Sequence, residues 1–248
     1  MDFETLRDRA LAFRTELLAR KEKIAPADFD WYPYDTMANI LHLDALPTGK
    51  HREVLTGLAG SRIADIGAAD GDFGFFLEAE LGCQVDIIDN APTNFNGLRG
   101  ARRLVTELSS TAQVHEIDLD TQFRLPAEHY GAVFFLGLLY HLKNPFYVLE
   151  TLARHADVCF LSTRVAQVTP DGTPIKEQPV AYLLHATEAN NDPTNYWIFS
   201  ETGLRRLFDR TGWEVLDFTT VGCQEGSDPR SQDRDERAFA LLRSRQAR

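Results

Sequence analysis

No stretch of eighteen or more apolar residues occurs in this chain of 248 residues, which excludes a transmembrane helix. Cysteine is scarce. Cys83, Cys159 and Cys223 are widely separated and odd in number, matching neither a disulfide framework nor a zinc-ligand spacing, so a reduced, cytoplasmic setting is expected. Positive charge is short as well, with 26 Lys and Arg against 37 Asp and Glu and a net charge of -11. Such a balance disfavours nucleic acid as a partner, because phosphate tracts are met by gathered Lys and Arg. The opening MDFETLRDRALAF puts acids and arginines where a secretory leader needs a long apolar core, so export is not expected. No stretch declares the oxygen-ligand cluster of a metal site, and no metal is expected. What is present, 44% hydrophobic and 25% charged residues, suits one large soluble α/β domain with a sizeable core.

Phe3, Leu6, Ala10, Phe13, Leu17 and Ile24 recur at helical spacing and predict one long amphipathic helix over 3–24. APADFDWYPYD then reads as a loop, and MANILHLDAL and HREVLTGLAG as shorter helices. Residues 1–60 are therefore expected to form a helical lid or brace, and 61–248 the main domain. From Arg62 onward RIADIG, QVDIID, AQVHEI, YGAVFFLGLL and ADVCFLS read as strands. DFGFFLEAELG, NGLRGARRLVTEL and FYVLETLARHA between them carry helical periodicity. Alternating strand and helix predicts an α/β, doubly wound, mostly parallel sheet. Five prolines and glycines between Pro170 and Pro193 break that rhythm, so 165–199 reads as an insertion or long loop. SETGLRRLFDRTGW resumes a helix with Ser200 as N-cap, and WEVLDFTTV and RAFALLRS close the domain as a strand pair, bringing the sheet to about seven strands.

IADIGAADGDFGFF, residues 63–76, is a strand entering a glycine-bearing turn and leaving as a helix, yet it carries Asp65, Asp70 and Asp72. Ligands of open α/β sheets bind at strand carboxyl ends, where this turn sits. The dinucleotide pattern G-x-G-x-x-G begun at Gly67 would need glycine where Ala69 and Asp72 stand, so it fails. Two unit charges about 4 Å apart repel by roughly 4 kcal/mol at an effective dielectric near 20. Carboxylates here disfavour a diphosphate, and with it a nicotinamide-dependent oxidoreductase, and favour a ligand bearing an ammonium and a sulfonium. Asp70 also reads as a cap for the following helix.

These residues resemble motif I of the class I S-adenosylmethionine-dependent methyltransferases, whose usual form is acid–x–Gly–x–Gly–x–Gly; Ala69 departs at the middle glycine. The resemblance covers 62–164 well and 195–245 loosely, and implies a Rossmann-like sheet and S-adenosyl-L-methionine as cofactor. It implies that Asp65, Gly67, Ala68 and Gly71 form the cofactor turn, and that Asp89, two dozen residues past Asp65, takes the ribose hydroxyls with Asn90 beside it. Asp118 and Leu119 of HEIDLD would then bind and cover the adenine, and Leu136 and Gly137 of FFLGLLYHLKNP would line the pocket. GLLYHLKNP and NDPTNYWIFSETGLRRLFDRTGWEVLDF most resemble the subgroup of tRNA wobble-uridine carboxymethyltransferase-like proteins — carboxymethyl transfer with a carboxylated cofactor — though the chain shows no basic run for tRNA.

Methyl transfer from a sulfonium needs alignment and a dry cavity, and a hydroxyl or ammonium acceptor benefits from a base. His141, just past the fourth strand, is the candidate base, and Tyr140 the candidate orienting group. Trp31 and Tyr34, with Tyr32, and Trp197 in NYWIF are candidates for the acceptor wall, and Arg164 for an anionic group on the acceptor. The expected activity is methyl transfer to an O or N atom of a small molecule. The alternatives are carboxymethyl or methyl transfer to tRNA and a non-catalytic cofactor-binding protein. The oligomeric state and the acceptor's identity stay open at the level of sequence.

Overall fold

The computed structural model describes residues 3–189, 191–223, 225–231 and 233–247. They fall into two compact units, Met1–Phe134 and Phe135–Arg248. In the first, α1 (Phe3–Ile24) buries Leu6, Ala10 and Leu17 along one stripe, as the spacing predicts, while the Phe3 side chain lies outside the described residues. Ala25, at a left-handed φ of 38°, ends the helix. A 3-10 turn at Thr36–Asn39 and α2 (Ile40–Ala45) follow. The stretch 51–60, expected as a helix, forms only 3-10 turns at Gly49–His51 and Thr56–Leu58, because Gly49, Gly57 and Gly60 remove the propensity needed to propagate a full helix.

Next come β1 (Arg62–Ile66), α3 (Asp72–Leu81), β2 (Gln84–Asp89), α4 (Arg99–Glu107) and β3 (Gln113–Glu116). β1 and β2 pair in parallel from Arg62↔Gln84 to Ile66↔Ile88, and β2 and β3 from Asp86↔Gln113 to Asp89↔Glu116. Four consecutive residues of each of β1 and β2 are buried, the mark of parallel strands covered on both faces. Asp86 is 1% exposed within β2, yet it accepts from the Arg62 guanidinium (2.8 Å), the Tyr130 hydroxyl (2.9 Å) and the His115 ring (2.9 Å), so its charge is fully answered. The register places Asp89 one step past Ile66↔Ile88, level with Gly67.

β4 (Tyr130–Leu136) carries the chain into the second unit. There the elements are a 3-10 turn at Leu139–His141, α5 (Pro145–Ala153), β5 (Ala156–Val165), β6 (Ala181–Leu183), β7 (Trp197–Phe199), α6 (Glu201–Arg210), β8 (Trp213–Gly222) and β9 (Glu236–Ser244). Asn144 caps α5 by accepting from Tyr147 N–H, and Ser200 caps α6 by accepting from Gly203 N–H, as its sequence predicts. β9 pairs antiparallel with both β5 and β8, and β5 pairs in parallel with β7. The 165–199 stretch is more than a loop: it adds β6 and β7, an antiparallel pair of three residues each. Buried Ile198 and Phe199 hold the pair, while the surrounding prolines keep it short. Buried Trp213 packs below, its Nε1–H donating to the Leu149 carbonyl.

Among the contacts of α1 with the rest of the first unit, one is a buried ion pair. Lys21, 6% exposed, donates to Asp70 Oδ2 (3.1 Å) and to Asp72 (2.8 Å). A buried cation shared by two carboxylates is costly to break from one side. Lys21→Met is expected to lower the unfolding free energy at pH 8 by about 3–5 kcal/mol, and by less at pH 5, where protonation relieves the stranded acids. Urea denaturation of both proteins at the two pH values measures this; a loss under about 1 kcal/mol at pH 8 would contradict it.

Candidate active site

The turn after β1 is built on close backbone approach. Gly67 N–H donates to the Ile88 carbonyl at 2.8 Å, and Gly71 N–H to the Ala68 carbonyl at 2.8 Å. Ala69 sits between them in the left-handed region at φ 55°, a conformation glycine reaches without strain. That explains why the resembled motif has glycine there. The Ala69 N–H donates to Asp89 Oδ2 at 3.0 Å, and Asn90 N–H to Asp89 Oδ1 at 2.7 Å. Asn94 completes the clamp, its Nδ2 donating to Asp89 Oδ2 (3.0 Å) and to the Ala69 carbonyl (3.2 Å). Burial pushes the Asp89 carboxyl upward from its ordinary pKa, and the Asn94 amide and the Asn90 and Ala69 N–H groups pull it back.

The three acids of the turn take different environments. Asp65, 4% exposed, accepts the Gly74 N–H at 2.9 Å. A Cβ at Gly74 would lie 3.1 Å from that carboxylate, so glycine is what allows the approach. Burial above all, with the charges of Asp89 and Asp72 adding, pushes the Asp65 carboxyl up to about 7. Asp70 does not cap α3: Gly71 occupies that position with no side-chain cap. Asp70 instead accepts from Lys21, from the Tyr32 N–H (2.9 Å) and from Asn96 Nδ2 (2.7 Å). A Cβ at Gly100 would overlap the Asp70 carboxylate and the Asn96 amide, so a bare backbone is required there. Lys21 thus neutralises much of the acid load at Asp70 and Asp72. The electrostatic preference for a cationic ligand, expected from three free carboxylates, is reduced: the Asp65 carboxyl holds its proton up to about pH 7, and Asp89 is the acid met only by neutral amides.

The remaining sequence candidates divide. Ala68 is buried beside Gly67, and Asn90 is half-buried next to Asp89. Asp118 is exposed just past β3, where Ile117 N–H donates to the Asp89 carbonyl at 2.9 Å, and Leu119 behind it is buried. Trp31 packs on the Lys21 anchor, its Nε1–H on the Lys21 carbonyl (3.1 Å) and its ring 5.2 Å from Nζ, whereas Tyr34 is 73% exposed. In the second unit Leu136 ends β4, and Trp197 is half-buried in β7 opposite Leu183. Arg164 is 4% exposed and ion-paired with Asp235, so the charge expected for an acceptor anion is already matched.

Tyr140 and His141 are adjacent, with ring centroids 4.3 Å apart. His141 Nδ1 lies 2.9 Å from Thr194 Oγ1 and 3.2 Å from the Thr194 carbonyl. The Thr194 hydroxyl donates to Asp192 Oδ1 at 2.7 Å, so the hydroxyl oxygen can only accept from the ring. Both partners make Nδ1 the protonated nitrogen and leave Nε2 with the free lone pair. Burial lowers the His141 pKa; Thr194 and Asp192 oppose this, and the Arg237 charge adds to it. The imidazole is therefore neutral at pH 7. Sequence reasoning missed Lys21, Asn94, Asn96, Thr194 and Arg237. The run of asparagines in DNAPTNFN was the one signal for the clamp. Among the described residues no group of three or more His, Cys, Asp or Glu could hold a metal ion, and no helix is long and apolar enough to cross a membrane.

A family model described as a methyltransferase domain matches residues 34–217. No curated protein matches the chain in sequence. Among solved structures, the N-terminal domain of EvdMO1 with SAH bound superposes with a TM-score of 0.59 at 18% identity, over 94% of this chain and 97% of that one. Coclaurine N-methyltransferase bound to N-methylheliamine and SAH gives 0.60 at 13% identity, over 88% and 76%. The [4+2]-cyclase SpnF gives 0.55 at 13% identity, over 88% of each chain. These likenesses establish a Rossmann-like α/β fold with a mostly parallel sheet.

Asp65 generates a pH prediction. Its folded-state pKa near 7 lies above the ordinary 3.8, so between those values the native state holds a proton that the unfolded chain has released. Its contribution to stability is complete below about pH 4 and is lost as pH rises to 7. Asp65→Asn keeps an acceptor for Gly74 N–H and cannot ionise, so its stability relative to wild type should rise from pH 5 to pH 8, by on the order of 3 kcal/mol. Parallel curves in denaturation across that range would show the carboxyl is not perturbed.

Proposed function

The chain belongs to the methyltransferase-domain family, and on that premise we propose that it is an S-adenosyl-L-methionine-dependent enzyme that moves a methyl group to an oxygen or nitrogen atom of a small-molecule acceptor. The observation that carries this reading is the Asp89 carboxylate at the exit of β2, tied to the Ala69 amide of the tight turn and to Asn90 and Asn94. The turn fits the cofactor: its backbone is bare of bulky side chains at Gly67, Ala68, Ala69 and Gly71, and its cationic anchors face Asp70 and Asp72 rather than Asp89. Asp89 would accept from the ribose hydroxyls, Asp65 would hold the turn through the Gly74 N–H, and Asp118 with Leu119 would hold and cover the adenine. When bound, the cofactor supplies a methyl group on a sulfonium leaving group.

The residues of this chain then have two tasks. Alignment falls to the turn and to the Asp89 clamp. Proton transfer falls to His141, whose neutral ring offers Nε2 to an acceptor hydroxyl or ammonium while Thr194, backed by Asp192, keeps Nδ1 protonated. Tyr140, packed at a tilt against that ring, orients the acceptor.

Asp89→Ala should weaken S-adenosylhomocysteine binding at least tenfold by calorimetry, because paired hydrogen bonds to the ribose are lost; unchanged affinity would put the ribose elsewhere. His141→Ala should lower kcat by about a hundredfold or more with the cofactor Kd unchanged. Thr194→Val should lower kcat several-fold and move the acid limb of the pH–rate profile to lower pH. Turnover untouched by His141→Ala would remove the base from this account, and binding without turnover on any acceptor would favour a non-catalytic role.

A further inference from the structure

Arg164 of β5 stands directly opposite Arg237 of β9 in an antiparallel register. Directly opposed residues project from the same face with Cα atoms about 4.5–5.5 Å apart, and like charges so placed are destabilising. Asp235 answers Arg164 through an ion pair. Glu236, 1% exposed, does not answer Arg237; its carboxylate accepts from Gln167 Nε2 and the Ser227 hydroxyl. Among the described residues Arg237 has no carboxylate partner, although the chain carries eleven excess negative charges. Arg164 Nη1 is buried with no hydrogen-bond acceptor.

The unmatched guanidinium is not loose on the surface. Half-buried Arg237 lies with its Cζ 5.8 Å from the centroid of the Tyr140 ring, and a Cβ at Gly137 would come 3.4 Å from its Nη1. Tyr140 in turn packs against His141, the two rings tilted by 46°. A planar, permanently charged fork with spare donors, held against an aromatic ring, is a receptor for two oxygens of one anion. Two opposed arginines with a single carboxylate between them leave one positive charge for a ligand to match.

We propose that Arg237, with Arg164 beside it, binds an anionic group of the acceptor, a carboxylate or phosphate monoester, so that the methyl acceptor is an acidic small molecule presented next to Tyr140 and His141. This rests on the methyltransferase reading and narrows its substrate class.

The test uses benzoate, phenyl phosphate and neutral benzamide as probes, titrated by NMR into the full chain with and without saturating S-adenosylhomocysteine. Benzoate or phenyl phosphate should bind at least fivefold more tightly than benzamide, and Arg237→Gln should reduce them to the benzamide level while the S-adenosylhomocysteine Kd is unchanged. Arg237→Lys, which keeps the charge and loses the fork, should fall between. Equal binding of benzoate and benzamide by wild type would overturn the proposal, as would unaltered benzoate binding by Arg237→Gln. Should that variant not fold, the wild-type comparison and the lysine variant decide. Loss of a carboxylated cofactor's affinity in Arg237→Gln without any benzoate binding would assign the anion to the cofactor, and so overturn it too. Failure of S-adenosylhomocysteine to bind wild type would instead count against the methyltransferase reading, with the anion probes still reporting on Arg237.

Discussion

Lys21 reaches from the last turn of α1 to two carboxylates of the turn that follows β1. Asp65, Asp70, Asp72 and Asp89 crowd one small region, and a buried carboxylate without donors is among the costliest features a fold can carry. Each is met differently: Asp65 by the Gly74 amide and a raised pKa, Asp70 and Asp72 by Lys21, and Asp89 by two backbone amides and Asn94. The N-terminal helix is therefore part of the turn's electrostatics, and the turn's shape depends on a residue more than forty positions away.

That division of labour decides which charges remain for chemistry. Acids that hold α1 in place cannot also attract a ligand strongly, because their charge is already compensated at about 3 Å. Asp89 differs because its donors are neutral amides, which orient the carboxylate without cancelling its charge. A carboxylate oriented by amides and not paired to a cation is suited to accept from a pair of hydroxyls. The strained Ala69 belongs to the same device, since its left-handed backbone is what turns its N–H toward Asp89.

The elements were legible wherever local rules agree with burial. Seven strands follow apolar runs, α3 and α5 follow from periodicity, and α6 from periodicity and its cap Ser200. The turn after β1 was legible for the same reason, since its residues are close in sequence and governed by one turn. What was not legible depends on partners distant in the chain. Nothing in RIADIGAADGD announces that Lys21 will neutralise Asp70, and nothing near Arg164 announces Asp235. β6 and β7 were missed because three-residue strands among prolines carry too little pattern to outvote the breakers, and their burial comes from neighbours supplied by the fold.

The second unit shows the same principle from the other side. Local sequence singles out Tyr140 and His141, but their chemistry is set by Thr194 and Arg237, contributed by elements beyond β5. Thr194 fixes which nitrogen is basic, and burial, with the Arg237 charge adding to it, disfavours the charged imidazole, while the Arg237 guanidinium stays unmatched. An anion at Arg237 would cancel that cation, and by the same electrostatics would raise the proton affinity of His141. Binding of an acidic acceptor would thereby strengthen the base at the moment a proton must be taken. Coupling of this kind needs no moving part, only a cation and a titrating ring close enough to sense each other, and it gives the unmatched arginine a physical reason to be where it is.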